Sequence, residues 1–258
     1  MREKSRTEAQ TPTKYRTTYR TGKMDYVLKL GGSVLTEKKR EKQLSENFSE
    51  ILRRIENNPN GVIIHGAGSF GHPPAEKHGI ASGSRQGILE THRAIKQLNT
   101  KIVDELRDSG VKAVPVHPLS MSLRNPDTEM MVDHVFQMLE EGFTPVLHGD
   151  GIVTEGKGFT VLSGDEILAL IEKEAKTGNA GFCTSVKGVM DQKGEVLDEI
   201  NSMSDFHEKK VEGTDVSGGM KNKLEEIFEK QIEAQIFGHG QLEKFLEGEK
   251  TGTQVKAR

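Results

Sequence analysis

Lys29, His72 and Lys223 each stand beside a glycine-rich turn. Lys29 breaks the apolar run Val27-Leu28-Lys29-Leu30 and leads into Gly31-Gly32-Ser33. His72 closes His65-Gly66-Ala67-Gly68-Ser69-Phe70-Gly71-His72-Pro73, which follows the apolar Val62-Ile63-Ile64. Lys223 follows Ser217-Gly218-Gly219-Met220-Lys221-Asn222, and Lys38 comes nine residues after Lys29. Glycine turns let backbone N–H groups converge on an anion. Lysine and histidine side chains add charged or neutral donors aimed at the same place. Three phosphate-sized turns with lysines suit a triphosphate and a second phosphate. Phosphoryl transfer asks for positioning and charge neutralisation more than for covalent chemistry.

The middle turn alone is ambiguous. Gly66-Ala67-Gly68-Ser69-Phe70-Gly71 fits the G-x-G-x-x-G pattern of dinucleotide-binding folds and of the protein-kinase glycine loop. The dinucleotide reading needs a second strand ending in an acidic residue about 20 residues on. That place holds Leu89-Glu90-Thr91-His92, which reads as the start of a helix. The protein-kinase reading needs H-R-D and D-F-G, which the chain lacks, as it lacks a Walker A sequence. A plain glycine turn with no ligand is the bland alternative, weakened by the two companion turns.

Alternating strand and helix signals must position these residues. Apolar runs predict strands near 26–30, 61–65, 111–116, 144–148, 181–186 and 234–237. Helical patterns cover 47–56, 89–108, 131–141, 165–176 and 219–231. Leu98, Ile102 and Leu106 give the second helix a packed stripe. Gly110 and Gly142 suit helix ends. Ser163-Gly164-Asp165-Glu166 has capping-box spacing, which puts Asp165 in the first turn of its helix. The alternation predicts an α/β fold with a largely parallel sheet. Asp191-Gln192-Lys193-Gly194 predicts a turn, with Glu195-Val196-Leu197 as a short return strand.

The 258 residues suffice for one large domain or two lobes. A net charge of −3 gives no basic footprint for nucleic acid, and there is no apolar run long enough for a membrane span. The single Cys183, in an apolar run, reads as a buried reduced thiol suited to a reducing cytoplasm. Residues 1–23 differ in kind: seven Lys or Arg against two Glu give a local +5. They read as a disordered basic extension without the apolar core of a signal peptide. Met24, directly before the first strand, is a candidate start of translation. The chain from there would carry −8, the whole-chain −3 less that +5.

Lys29 to Ser33, His65 to Pro73, His148-Gly149-Asp150, Ser163-Gly164-Asp165 and Asp215 to Lys223 occur in an order that resembles the amino acid kinase superfamily. The Gly-Ser-Phe-Gly-His-Pro ending is similar to that of its isopentenyl phosphate kinases. The resemblance runs from about 25 to about 240. It implies an open αβα sandwich, with an acceptor lobe near 24–157 and a nucleotide lobe near 158–258. It also implies a cytoplasmic homodimer acting in isoprenoid synthesis. The reaction implied is transfer from ATP, carrying Mg2+, to isopentenyl phosphate.

On the same resemblance, Lys29 spans the transferring phosphoryl group, and Gly31, Gly32 and Ser33 offer N–H groups to the β- and γ-phosphates. Lys38 is a second phosphate lysine, although Lys38-Lys39-Arg40 is also a solvated charge run. Gly218, Gly219 and Lys223 hold the nucleotide phosphates, with Lys221 as the competing lysine. Asp165 orients the lysines, while also suiting the helix dipole. His72, Gly66, Ala67 and Gly68 bind the acceptor phosphate, joined by Gly164 and Asp150, whereas His65 reads as structural. Ala67 stands where many relatives have a third glycine, which is tolerable if that position needs no positive φ.

One departure concerns the base and ribose. Relatives commonly read Thr-Asp-Val-Asp-Gly-Val where this chain has Thr184-Ser185-Val186-Lys187-Gly188-Val189. No residue stands out as a general base. A phosphomonoester acceptor is already anionic near neutral pH, so it needs charge tolerance and no proton removal. That favours a phosphate acceptor over a hydroxyl one. The alternatives are a kinase for another small phosphate or phosphonate, such as fosfomycin, and a non-catalytic nucleotide- or anion-binding protein.

Overall fold

The computed structural model describes residues 24–80, 83–206 and 216–257. The basic extension, Thr214 and Asp215 lie outside the described residues. An eight-stranded sheet is built around β1 (Tyr26–Leu30), which pairs in parallel with β2 (Gly61–His65) and β9 (Ala180–Thr184). Beyond β2 come β6 (Thr144–His148) and β3 (Ala113–Pro115); beyond β9 come β11 (Glu233–Gly238), β12 (Thr253–Lys256) and β10 (Glu199–Ile200). Only the β11–β12 pair in this sheet is antiparallel.

Side chains alternate between the two faces of a strand, and β1 uses both. Tyr26, Leu28 and Leu30 pack with α2 (Phe48–Arg53), α4 (Arg85–Asp108) and α8 (Leu242–Leu246). Val27 packs on the other face with α5 (Val132–Glu140), α6 (Gly164–Ala175) and α7 (Val216–Lys230). Lys29 shares the parity of Val27. The lysine that breaks the apolar run is therefore sent into the α6–α7 layer. All five residues of β1 are buried, as a central strand covered on both sides requires.

The expected open αβα sandwich is present, and each strand and helix expected of it has a counterpart, while the return strand expected at 195–197 is reduced to an isolated bridge. Boundaries differ for local reasons. α4 begins at Arg85 because the Ser84 side chain caps it, accepting from the Gly87 N–H at 3.1 Å. The 190–197 segment forms the expected hairpin turn, closed by a Met190–Val196 bridge.

Besides the short α1 (Gly32–Leu35) and α8 and the strands β10 and β12, two larger features were not expected. A second sheet of β5 (Thr128–Met130), β4 (Ser122–Arg124), β7 (Asp150–Thr154) and β8 (Gly158–Leu162) packs against α4 through β7. The glycine-proline stretch read as a loop is also helical in part. It follows α1 in space and forms α3 (Gly68–Lys77), with Pro73 and Pro74 inside it.

Candidate active site

Asp165 joins the two lysines that the sequence set 194 residues apart. Lys29 Nζ donates to its Oδ1 at 2.5 Å, and Lys223 Nζ lies 3.5 Å from Oδ2. The cap that places Asp165 is half of the expected box. The Ser163 hydroxyl accepts from the Glu166 N–H at 3.0 Å, but the Glu166 carboxylate is turned elsewhere. Burial pushes the Asp165 pKa up, yet Lys29 and Lys223 outweigh it and hold the carboxyl below its ordinary value. Lys223 also donates to the Gly219 carbonyl at 2.9 Å. Burial, and then repulsion from Lys29, push its ammonium down to about 8 in spite of Asp165. The Lys223 charge is therefore present below that pH and lost above it. For the free enzyme, kcat/KM for ATP should fall as pH rises through about 8, and Lys223→Arg should remove that fall. A profile in which parent and arginine variant decline together would assign it to another group.

The two glycine turns at the strand ends press on each other. A Cβ on Gly32 would lie 2.4 Å from the Gly68 nitrogen, and one on Gly66 would lie 2.6 Å from the Gly32 nitrogen. Thr36 staples them, accepting from the Ser69 N–H at 2.9 Å and donating to the Gly32 carbonyl at 2.8 Å. This corrects part of the phosphate cradle. The Gly31 N–H donates to the Cys183 carbonyl at 2.9 Å, and the Gly66 N–H to the Leu30 carbonyl at 3.0 Å. Both are spent on extending strand pairing. Gly32 and Ser33, and Ala67 and Gly68, stand at the starts of α1 and α3, where N–H groups have no intrahelical acceptor. Ala67 has φ −67°, so alanine is unstrained there, while Gly68 takes φ +50°.

His72 is an exposed residue of α3, and not the end of a loop. Pro73 has no N–H to bond the Ser69 carbonyl four residues back. That carbonyl instead accepts from the Lys42 N–H at 3.1 Å, tying α3 to the segment that carries Lys38. Lys38 itself is exposed on that turn, outside the Lys29–Asp165–Lys223 contacts. Gly218 and Gly219 lie in the first turn of α7, and not in a loop before it. Lys221 points away from the site and lies 3.6 Å from Glu225.

Sequence reasoning missed a cluster of four histidines. His65, His148, His117 and His92 form a series of ring contacts, 5.5 Å, 5.2 Å and 5.9 Å between successive centroids. His65 contacts the Asn99 amide at 3.2 Å, and His148 meets His117 at 2.9 Å. Spacing gave no signal, because each histidine comes from a different element. Burial pushes His65 down to about 4 and His148 down to about 3, so both are neutral at pH 7. The unfolded chain would protonate them near 6.5. Stability contributed by these neutral rings is intact above that value and is lost as pH falls through it toward the folded values. Each site can cost on the order of a few kcal/mol. Chemical denaturation at pH 7 and pH 5 should show a marked loss at the lower pH, reduced in His148→Gln. An unchanged difference in that variant would place the acid sensitivity elsewhere.

Asp150 also needs correction. Its carboxylate is fully enclosed, accepting from the Gly151 N–H at 2.8 Å and meeting His92 Nδ1 at 2.7 Å. It cannot touch an acceptor directly. Gly164 does border the centre: a Cβ there would lie 3.2 Å from Lys29 Cε. The small sheet is clamped to the same helix start. Arg124 donates to both oxygens of Glu166 at 2.8 and 2.7 Å, to Thr128 at 2.9 Å and to Thr160 at 2.7 Å. Ser185, at the departed position, reaches the Ser33 hydroxyl at 3.4 Å. Among the described residues, no group of three or more His, Cys, Asp or Glu side chains is placed to hold a metal ion.

Comparison with known proteins gives the family. Residues 24–236 match the model of the amino acid kinase family. A protein named isopentenyl phosphate kinase from Haloferax volcanii is 37% identical over 242 residues, covering 89% of this chain and 98% of that protein. One of the same name from Methanocaldococcus jannaschii is 28% identical, with 89% and 97% covered. A solved structure described as isopentenyl phosphate kinase superposes with a TM-score of 0.78 at 28% identity, covering 90% of this chain and 99% of that one. With its matching sandwich and near-complete family match, the chain belongs to the amino acid kinase family.

Proposed function

We propose that this protein transfers the γ-phosphoryl group of ATP to the phosphate of isopentenyl phosphate, giving ADP and isopentenyl diphosphate. The observation that carries the reading is the buried Asp165 holding Lys29 and Lys223 together beside two interlocked glycine turns. The near-full-length similarity to proteins of that name supports the choice of acceptor. Lys29 neutralises charge on the transferring group, and Lys223 holds phosphates that remain with ADP. Asp165 keeps both ammonium groups in place. The Gly32 and Ser33 N–H groups face the nucleotide phosphates, with Gly218 and Gly219 beside Lys223 and Lys38 closing from the adjoining turn. Ala67, Gly68 and Gly164 border the acceptor phosphate, and His72 donates a hydrogen bond to it.

Magnesium enters with the nucleotide as MgATP. The acceptor arrives as an anion, so the reaction needs no general base, and charge-neutralising donors supply the catalysis. Residues near 24–157 form the acceptor lobe and those near 158–258 the nucleotide lobe. The enzyme works as a homodimer in the cytoplasm, in a route that supplies isoprenoid precursors. No helix among the described residues is long and apolar enough to cross a membrane.

ADP release with MgATP against isopentenyl phosphate, dimethylallyl phosphate, fosfomycin, acetylglutamate and uridylate tests the assignment. Isopentenyl phosphate should give the highest kcat/KM. A higher value for fosfomycin or acetylglutamate would sink it.

A further inference from the structure

Asp150 sits where the small sheet meets the phosphoryl-transfer centre. It follows Gly149, where a Cβ would lie 3.1 Å from the Gly164 nitrogen, and Gly164 in turn borders Lys29. Its carboxylate has no exposed surface. A buried carboxylate must be paired, and the candidates are few. The Gly151 N–H supplies one bond. His148 Nδ1 lies 3.7 Å away, but it is engaged with the Gly149 carbonyl at 3.1 Å, and burial holds the ring neutral. His92 Nδ1, at 2.7 Å, is the remaining strong donor.

The position of His92 along α4 gives this pair its significance. Four residues earlier, Ile88 presses on Gly151, where a Cβ would come 2.1 Å from its Cδ1. Three residues later, Ile95 presses on Gly71, where a Cβ would come 2.6 Å from its Cγ1. Residues at these spacings share one helix face. His92 therefore lies between the contact with the start of β7 and the contact beside His72. Its side chain is 22% exposed, whereas that of Asp150 is fully enclosed.

We propose that His92 is a positioning residue for the acceptor: by holding the buried Asp150 carboxylate, it fixes the start of β7 against Gly164 and Lys29 and sets the acceptor wall in register with the transfer centre. This rests on the phosphate-acceptor reading above. Asp150 then acts on the acceptor only through the start of β7, which explains a carboxylate conspicuous in the sequence yet closed to solvent.

Steady-state kinetics of His92 variants, with isopentenyl phosphate and MgATP varied separately, test the proposal. Parent turnover of isopentenyl phosphate is measured first. Its absence would overturn the acceptor assignment, and the same split would then be read with whichever acceptor the parent uses. His92→Ala should raise KM for the acceptor by about 10-fold or more and KM for ATP by less than about twofold, the scale of one hydrogen bond to a charged group. His92→Gln, which keeps an N–H donor, should recover most of the loss. Asp150→Asn added to His92→Ala should recover part of it, because it removes the stranded charge. Parent-like kinetics in His92→Ala would overturn the proposal, as would KM values that rise together with a falling Tm. A His92→Gln as impaired as the alanine variant would do the same. If His92→Ala does not fold, the glutamine and double variants decide: near-parent acceptor KM in His92→Gln with a partly raised acceptor KM in the double variant supports the role, and a raised acceptor KM in His92→Gln, or a parent-like one in the double variant, refutes it.

Discussion

Lys29→Met is expected to lower kcat by about 10³-fold while changing KM for ATP far less, the upper scale for removing one positioned charge donor. The side chain is buried at the end of the central strand, with Nζ 2.5 Å from Asp165. It cannot be replaced by a neighbour, because the next residues are Leu30 and two glycines. Phosphoryl transfer spreads charge over the moving group, and a fixed ammonium stabilises that charge without reorganising. Methionine keeps the stem and removes the charge. Asp165 retains Lys223, so the fold should survive. Kinetics within about tenfold of the parent, in a variant with unchanged Tm, would remove Lys29 from the transition state.

Asp165→Asn should damage stability and activity together. The carboxylate is the shared partner of two buried ammonium groups, and those groups repel each other. Breaking a buried pair by removing one partner costs about 3–5 kcal/mol. For a chain of this size, that corresponds to a drop in Tm of roughly 10 °C. Lys223, already pushed down to about 8, loses the group that opposes that shift. The alkaline fall in kcat/KM for ATP should therefore begin at lower pH in the variant. Thermal unfolding and a pH series check both parts. A variant with parent Tm and parent pH profile would show that the carboxylate is not the electrostatic centre of the site.

The sandwich was legible because its signals are local. Apolar runs such as Val62-Ile63-Ile64 and the stripe of Leu98, Ile102 and Leu106 carry their periodicity within a few residues. The Lys29–Asp165–Lys223 centre was legible for a different reason: motif resemblance named its members, and strand parity and a helix cap then brought them together. The small sheet was not legible, because strands such as Ser122–Arg124 and Thr128–Met130 are part-exposed and lack the continuous apolar runs that mark the central strands. α3 was hidden by glycine and proline, whose usual meaning is a break. Here the carbonyl that Pro73 leaves unbonded is satisfied from another segment, by the Lys42 N–H. The spent N–H groups of Gly31 and Gly66, and the histidine cluster around Asp150, depend on long-range pairing. No spacing along the chain encodes that.

The phosphorus-31 NMR spectrum of a reaction of this protein with isopentenyl phosphate and MgATP tests the central claim most directly, because it reports the bond formed. The account predicts that the single monoester resonance is replaced by a pair of coupled diphosphate doublets, in step with the appearance of ADP. A monoester resonance that persists unchanged while ATP is converted only to ADP and inorganic phosphate would contradict it.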